Sequence, residues 1–263
     1  MHFWKAHAYG NDFLYAAFAD VVSGDLAELA RHMCARTTGI GADGLILFES
    51  RPGGARMRLH NADGSIAEVS GNGVRGLAAL LTHQQASPVG TAFDIDTDAG
   101  TKHLALVSRD EQGRPVFRAA MGRPERLAQQ DIPLGDETLP LATLWMGNPQ
   151  AVWLVETLDT REMLRVGAAL QQHPAFPDAV NLELAHVVSP GEVEILIYER
   201  GVGPTHSSGT GSCAAAVAAA AYGGAARVVD VVAPGGRQHV EWLDDGVYLT
   251  GWAEVLCQGT WLA

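Results

Sequence analysis

Two short stretches of this 263-residue chain carry residue types that could do acid–base chemistry on a small anion. Val69-Ser70-Gly71-Asn72-Gly73-Val74-Arg75-Gly76 and Ser207-Ser208-Gly209-Thr210-Gly211-Ser212-Cys213-Ala214 are built alike. Each is a serine, then Gly-x-Gly, then a run of small and apolar residues with helical character. Glycines ahead of a helix let the backbone approach a ligand, and first-turn N–H groups have no partner within the helix. With the helix dipole behind them, such ends attract an anion, for example a carboxylate. A single copy would be read as a serine N-cap and nothing more. Two copies facing one another would give a site with a hydroxyl and a helix end on either side. One hydroxyl, at Ser70 or Ser208, would remove a proton α to a bound carboxylate, and the other would return one from the opposite face. The helix ends would stabilise the negative charge that grows in between. A serine hydroxyl is a poor base without an activating partner, and Glu68, His60 and His206 are near enough in sequence to be candidates.

The elements that must present these stretches occur twice, in the same order. Phe3 to Ala17 alternates around a break at Gly10-Asn11-Asp12, which predicts strand, turn, strand. Ser23 or Asp25 caps a helix with apolar residues at Leu26, Leu29, Ala30 and Met33. A buried strand follows at Leu45 to Phe48, another at Met57 to Asn61, then the helix Val74 to His83 and the strand Phe93 to Thr97. A hairpin of Leu104 to Ser108 with Val116 to Met121 closes the set. In the second half, Met146-Gly147-Asn148-Pro149 stands for Tyr9-Gly10-Asn11-Asp12, and Thr160 opens the matching helix. Pro177 to Leu184 stands for Gly41 to Phe48, and Glu194 to Tyr198 is the strand that ends at Glu199-Arg200. His239 to Leu243 and Val247 to Thr250 form the matching hairpin. Asn11 to Asn148 is an offset of 137 residues, and Ser70 to Ser208 an offset of 138. That period is far longer than a solenoid repeat. It predicts two similar domains, 1–122 and 123–263, with the seam near Gly122-Arg123-Pro124, and a ligand cleft where tandem domains meet. The run from Cys213 to Ala221 has no polar face, which predicts a buried central helix wrapped by strands, with its N-terminal end left open. The helix from Val74 fits the same role, although Arg75 must reach solvent or a partner.

Composition narrows the function. The chain is 47% hydrophobic and 18% charged, as globular proteins are. A formal net charge of −12 argues against a nucleic-acid partner, which normally needs a basic stripe. Cys34, Cys213 and Cys257 are too few and too far apart for a disulfide framework or a zinc motif, and they fit a reducing cytoplasm. No secretory signal is visible at the N-terminus and no apolar run reaches a membrane span, so no membrane partner is expected. The histidines lack ligand spacing and no nucleotide fingerprint occurs, so neither a metal nor a cofactor is expected.

The ordered motifs resemble the diaminopimelate epimerase family, whose cofactor-independent enzymes interconvert LL- and meso-diaminopimelate. The likeness covers nearly the whole chain. It runs through Gly10-Asn11-Asp12-Phe13, Gly39-Ile40-Gly41-Ala42-Asp43, Asn61-Ala62-Asp63-Gly64-Ser65, Ser70 to Arg75, Met146 to Pro149, Phe176-Pro177 with Val180-Asn181, Glu199 to Gly203, and Gly209-Thr210-Gly211. The resemblance implies an α/β (α+β) fold of two pseudo-symmetric halves, each a barrel-like sheet around a central helix. It implies that Asn11, Asn61, Asn148, Asn181, Glu199 and Arg200 hold the amino and carboxylate groups of an amino-acid substrate. It implies that Gly71, Asn72, Gly209 and Thr210 receive the reacting carboxylate, and that the protein is a homodimer. The chain also departs from the family. The two cysteines of the family's acid–base pair fall at Ser70 and Ser208, Gln150 stands where a histidine usually follows Gly-Asn-Pro, Gly44 where glutamine is common, and Pro204 where glutamate is usual. The departures leave open a related amino-acid racemase or dehydratase, or a binding protein without turnover.

Overall fold

The computed structural model describes residues 1–21 and 24–262; Ser23, one of the two candidate caps, lies outside the described residues. The chain folds into two compact units, Met1–Ala119 with Gly251–Ala263, and Ala120–Thr250. In chain order the first unit contributes β1 (His2–Ala8), β2 (Asn11–Ala17), α1 (Leu26–Cys34), β3 (Gly44–Arg51), β4 (Gly54–Asn61), β5 (Ile66–Ala67), α2 (Gly71–Gln85), β6 (Ala92–Thr97), β7 (Gly100–Arg109) and β8 (Pro115–Gly122). The second contributes β9 (Glu125–Leu134), β10 (Glu137–Trp145), β11 (Pro149–Leu154), α3 (Thr160–Leu170), β12 (Asn181–Ser189), β13 (Glu192–Glu199), β14 (Gly203–Thr205), α4 (Gly209–Tyr222), β15 (Val228–Ala233), β16 (Gly236–Trp242) and β17 (Val247–Trp252). The last strand, β18 (Glu254–Thr260), pairs with β1 and so returns the C-terminal segment to the first unit.

The strands of the two units follow one pairing scheme. In the first unit β18 and β2 flank β1 antiparallel, β2 lies parallel to β3, β3 antiparallel to β4, and β4 parallel to β6, with β7 and β8 closing the meander. In the second, β9 and β11 flank β10, β11 lies parallel to β12, β12 antiparallel to β13, and β13 parallel to β15, with β16 and β17 following. Each parallel step needs a crossover, and a helix supplies it each time. The first crossover helices, α1 and α3, lie outside, on β3 and β4 and on β12, β13 and β14. Both begin at an aspartate cap: Asp25 accepts from the amides of Ala27 and Glu28, and Asp159 from those of Arg161 and Glu162.

The second crossover helices, α2 and α4, lie inside the curl of their sheets. The helix α4 packs against β10, β11, β12, β13, β15 and β16, and α2 against β1, β2, β6, β7 and β18. Sequence accounts for this. In α4 every residue from Cys213 to Ala219 is buried, and each covered methyl is worth about 0.8 kcal/mol. Small side chains also let the surrounding strands come close on all sides. In α2, Val74, Leu77, Leu80 and Leu81 are buried, and so is Arg75, whose guanidinium lies 5.8 Å from the centre of the Tyr9 ring. The partner that Arg75 requires is thus within its own unit. Each unit is an α/β half in which a curled sheet surrounds one central helix.

One contact fixes the open end of α2. The buried Tyr15 hydroxyl donates to the carbonyl of Gly73 at 2.9 Å, from β2 into the first turn of the helix. The ring can pass only because residue 76 is glycine, since a Cβ there would overlap the Tyr15 hydroxyl. Gly76→Ala is therefore expected to lower stability by about 1–3 kcal/mol, read as a lower urea midpoint at unchanged slope.

Candidate active site

Each central helix starts at a serine. Ser70 is the N-cap of α2 and its Oγ accepts from the Gly73 amide at 3.1 Å. Ser208 is the N-cap of α4 and its Oγ accepts from the Gly211 amide at 3.2 Å, with Thr210 Oγ1 at 3.5 Å. Both residues have extended backbone, at φ −129° and −136°, so the two ends share one geometry. Because each serine takes the amide three residues on, the amides of Gly71 and Asn72, and of Gly209 and Thr210, are the first-turn groups directed out of each helix.

Strand register supplies the surroundings. Leu45, Leu47, Leu14 and Ala16 face α1, so the alternate residues Phe13, Tyr15, Gly44 and Ile46 face α2. Asn61 is the residue opposite Gly44, at the end of β4 on that same face. In the second unit Leu182 and Leu184 face α3, so Asn181 and Glu183 face α4 with Ala185. Gln150 lies opposite Asn181 and Val152 opposite Glu183, while Ile197 is the partner of Glu183 on the other side. The row Phe13, Gly44, Asn61 in one unit therefore corresponds to Gln150, Asn181, Glu199 in the other. The row behind it, Tyr15, Ile46, Leu59, corresponds to Val152, Glu183, Ile197.

The asparagines are held by specific bonds. Asn11 Nδ2 donates to Asp43 Oδ2 at 2.7 Å, and its Oδ1 accepts from Asn72 Nδ2 at 3.2 Å. Asp43 also accepts from the Asp12 amide and from Arg36, and Arg36 and Lys5 both bind Asp12. Burial works to raise the Asp12 carboxyl, but the bonds from Arg36 and Lys5 outweigh it and hold it below the usual carboxylate range. Asn61 Nδ2 donates to Ser65 Oγ at 3.0 Å. Asn148 Oδ1 and Thr210 Oγ1 lie 2.6 Å and 3.1 Å from the Gln150 carboxamide. Asn181 is buried, donates to the Pro149 carbonyl and accepts from the Arg200 amide at 2.8 Å. Glu199 accepts from Thr205 Oγ1 at 2.7 Å, and the exposed Arg200 side chain donates to the Asp178 carbonyl.

The first unit thus gathers Asn11, Asn72 and Asp43 in one hydrogen-bonded group at the α2 end. The second gathers Asn148, Asn181 and Thr210 around Gln150 at the α4 end, and Glu199 ends the strand beside Asn181. The candidate activators of the serines do not join them. Glu68 and His206 are exposed. His60 points to the α1 side of β4, opposite Leu45, because it precedes Asn61 by one residue in a strand of period two. No carboxylate or imidazole hydrogen-bonds either serine hydroxyl among the described residues. The cysteines do not substitute for them: Cys213 is buried in the apolar core around α4, and burial pushes the Cys34 thiol up to about 12. Two residues at these ends carry no role in the sequence reading. Asp43 holds Asn11, and Glu183 sits fully buried under α4. The signal for Glu183 was in the repeat itself, a carboxylate where the 137-residue offset places Ile46.

Comparisons with known proteins identify the family and the fold. A family model described as diaminopimelate epimerase matches residues 3–127 and 142–256. Diaminopimelate epimerase of Desulforudis audaxviator is 38% identical over 280 residues, covering 100% of this chain and 99% of that protein. The enzyme of that name from Moorella thermoacetica is 38% identical over 278 residues, covering 98% of each. Among solved structures, a predicted epimerase from Pseudomonas aeruginosa has a TM-score of 0.74 at 17% identity, with 100% and 99% coverage. A probable proline racemase from Agrobacterium radiobacter has a TM-score of 0.73 at 15% identity, with 99% and 92% coverage. At those identities the likeness to the solved structures is one of fold.

If the serines are caps in the folded protein, their removal has a defined stability signature. Ser70→Ala and Ser208→Ala should each cost about 1 kcal/mol in urea unfolding, whereas Ser→Gly at the same positions should cost only a few tenths.

Proposed function

The chain belongs to the diaminopimelate epimerase family, and from that premise we propose that it interconverts LL- and meso-diaminopimelate by exchanging the proton at Cα. Its enzyme class is that of the cofactor-independent epimerases. The observation that carries the reading is the pair of matched helix ends, each capped by a serine hydroxyl, at the positions to which the resemblance assigns the family's acid–base cysteines. In the proposed reaction one serine, as alkoxide, takes the Cα proton, and the other, as alcohol, gives its proton to the opposite face. The electron pair left by the C–H bond passes into the substrate carboxylate. The amides of Gly71, Asn72, Gly209 and Thr210 are assigned to that carboxylate, where helix ends stabilise developing negative charge. Asn11, Asn61, Asn148, Asn181, Glu199 and Arg200 are assigned to the amino and carboxylate groups of the substrate, including those at its far end.

Serine is the difficult element. A thiol titrates near pH 8.5 and becomes a thiolate readily at a helix N-terminus, while a hydroxyl gains far less from the same field. Two features lower the barrier. Each Oγ already accepts a backbone amide, a bond that strengthens when the oxygen carries charge, and each lies at the positive end of a helix. The same reading places the protein in the cytoplasm as a homodimer, in keeping with its family and its free cysteines. Among the described residues no helix is long and apolar enough to cross a membrane.

The lack of a carboxylate or imidazole on either hydroxyl favours a second reading, an amino-acid-binding homologue that retains the pocket without turnover. Incubation with LL-diaminopimelate in deuterium oxide separates the two. Epimerisation gives meso product with deuterium at Cα, whereas a binding protein gives ligand-dependent thermal stabilisation with neither. A panel of other amino acids in the same assay tests for a related racemase. If the chemistry is proton exchange at these two positions, the double variant Ser70→Cys with Ser208→Cys should raise kcat by about 100-fold or more. An unchanged or lower rate would remove the two serines from the proton-transfer positions.

A further inference from the structure

Glu183 is the one carboxyl group that the reaction above does not use and that is nevertheless built into the α4 end. It projects from β12 toward α4, fully buried, so close that a Cβ on Gly211 would overlap its carboxyl oxygen. At the equivalent place under α2, the same position relative to Gly73 is taken by the apolar Ile46, whose Cδ1 would lie 2.8 Å from a Cβ on Gly73. No Lys, Arg or His pairs with Glu183 among the described residues. Val152 and Ile197 flank it across the sheet, α4 presents Gly211, and the charged group acting on it is Glu199, of like sign.

Its polar neighbour is the Gln150 carboxamide, one end of which lies 3.1 Å from Glu183 Oε1 and 3.2 Å from Oε2. The other end lies 2.6 Å from Asn148 Oδ1 and 3.1 Å from Thr210 Oγ1. If nitrogen faced Glu183, the carboxamide oxygen would accept from Thr210 Oγ1 and from Asn148 once that amide turned its nitrogen inward, and Glu183 would be left as a fully buried charge with no cation beside it. If oxygen faces Glu183, nitrogen donates to Asn148 and Thr210, and Asn181 Nδ2, 3.2 Å away, is engaged by the Pro149 carbonyl. That second orientation requires a proton on Glu183. We propose that Glu183 is a neutral carboxylic acid whose O–H donates to the Gln150 side-chain carbonyl, and that this bond orients Gln150 so that its N–H groups hold Asn148 and Thr210 at the α4 N-terminus.

Burial, with Glu199 adding to it, acts in the same direction and pushes the carboxyl well above its usual range. Neutrality also suits the place. A carboxylate beneath the first turn of α4 would oppose an anion at that helix end, and Ile46 leaves the other end equally uncharged. Glu183 is a positioning residue in this scheme, acting through Gln150 on Thr210, which lies 3.5 Å from the Ser208 hydroxyl.

Two readouts test the protonation state without reference to turnover. The infrared difference spectrum of wild type minus Glu183→Gln at neutral pH should contain the C=O stretch of a protonated acid; a carboxylate band alone would overturn the proposal. The second is thermal stability against pH. A carboxyl raised in the folded state contributes stability that is complete below its unfolded value, about 4.5, and is lost as pH rises toward the folded value. Wild type should therefore lose Tm relative to Glu183→Gln by about 3 °C per pH unit above pH 5, and parallel curves would refute it. The kinetic arm alone rests on the epimerase reading. Glu183→Leu should lower kcat/KM by about 10-fold or more, with Glu183→Gln, which keeps a donor toward Gln150, recovering most of the loss. A folded Glu183→Leu with wild-type kcat/KM would remove the positioning role. If no epimerisation occurs at all, the proposed reaction fails while the infrared and Tm results still decide the state of Glu183.

Discussion

Burying a central helix within a curled sheet is the constraint on which each half of this protein depends, and α4 shows it most plainly. The stretch from Cys213 to Ala219 offers nothing to water, so a sheet must cover it from every direction. A sheet curled in this way leaves only the ends of its helix uncovered, and backbone amides at an N-terminus have no partners of their own. Fold and site are therefore one solution. The apolar run that demands the wrapping also brings first-turn backbone amides to its mouth, where the capping serine accepts one of them. In α2 the same result is reached with Leu77, Leu80 and Leu81, and with a buried arginine set against the Tyr9 ring.

The strands that wrap each helix bring the polar groups to its mouth by register. Asn11 opens β2, Asn61 closes β4, Asn181 opens β12 and Glu199 closes β13, so each lies at a strand end where the sheet gives out beside the helix start. The side chains are then fixed from behind. Asp43 holds Asn11, with Arg36 and Lys5 balancing the charge of Asp12 and Arg36 also paired to Asp43. The Arg200 amide holds Asn181. These are local arrangements within each unit, built from residues that the chain brings together through parallel strand pairs and not through neighbouring sequence.

The halves have one frame and different contents. Where the first has Phe13, Gly44 and Ile46, the second has Gln150, Asn181 and Glu183. The first unit therefore lines the mouth of its helix largely with apolar surface and the asparagines, while the second supplies a connected polar group reaching from a buried carboxyl to the capping serine. Buried polar groups are costly unless each is satisfied, so the state of one member constrains the orientation of the others. The two halves have a common scaffold, and different residues at facing strand positions distinguish them.

Much of this was legible in the residues alone. Period-two and helical spacing gave the strands and helices, the 137–138 offset gave the duplication, and the lack of a polar face from Cys213 to Ala221 gave a central helix. Ser70 and Ser208 could be recognised both as caps and as candidate hydroxyls, because capping depends on neighbours within one helical turn. What sequence could not decide was which partners meet across strands. His60 and Asn61 are adjacent in the chain yet face opposite sides of β4, so nearness to Ser70 in sequence said nothing of nearness in space. The place of Gly251–Ala263 was set by the pairing of β18 with β1, a contact between the two ends of the chain. Asp43 and Glu183 acquired their roles only from the fold. One becomes the anchor of Asn11 and the other a buried acid beneath Gly211, because strand pairing and burial, which act over long chain separations, decide what a carboxyl group touches.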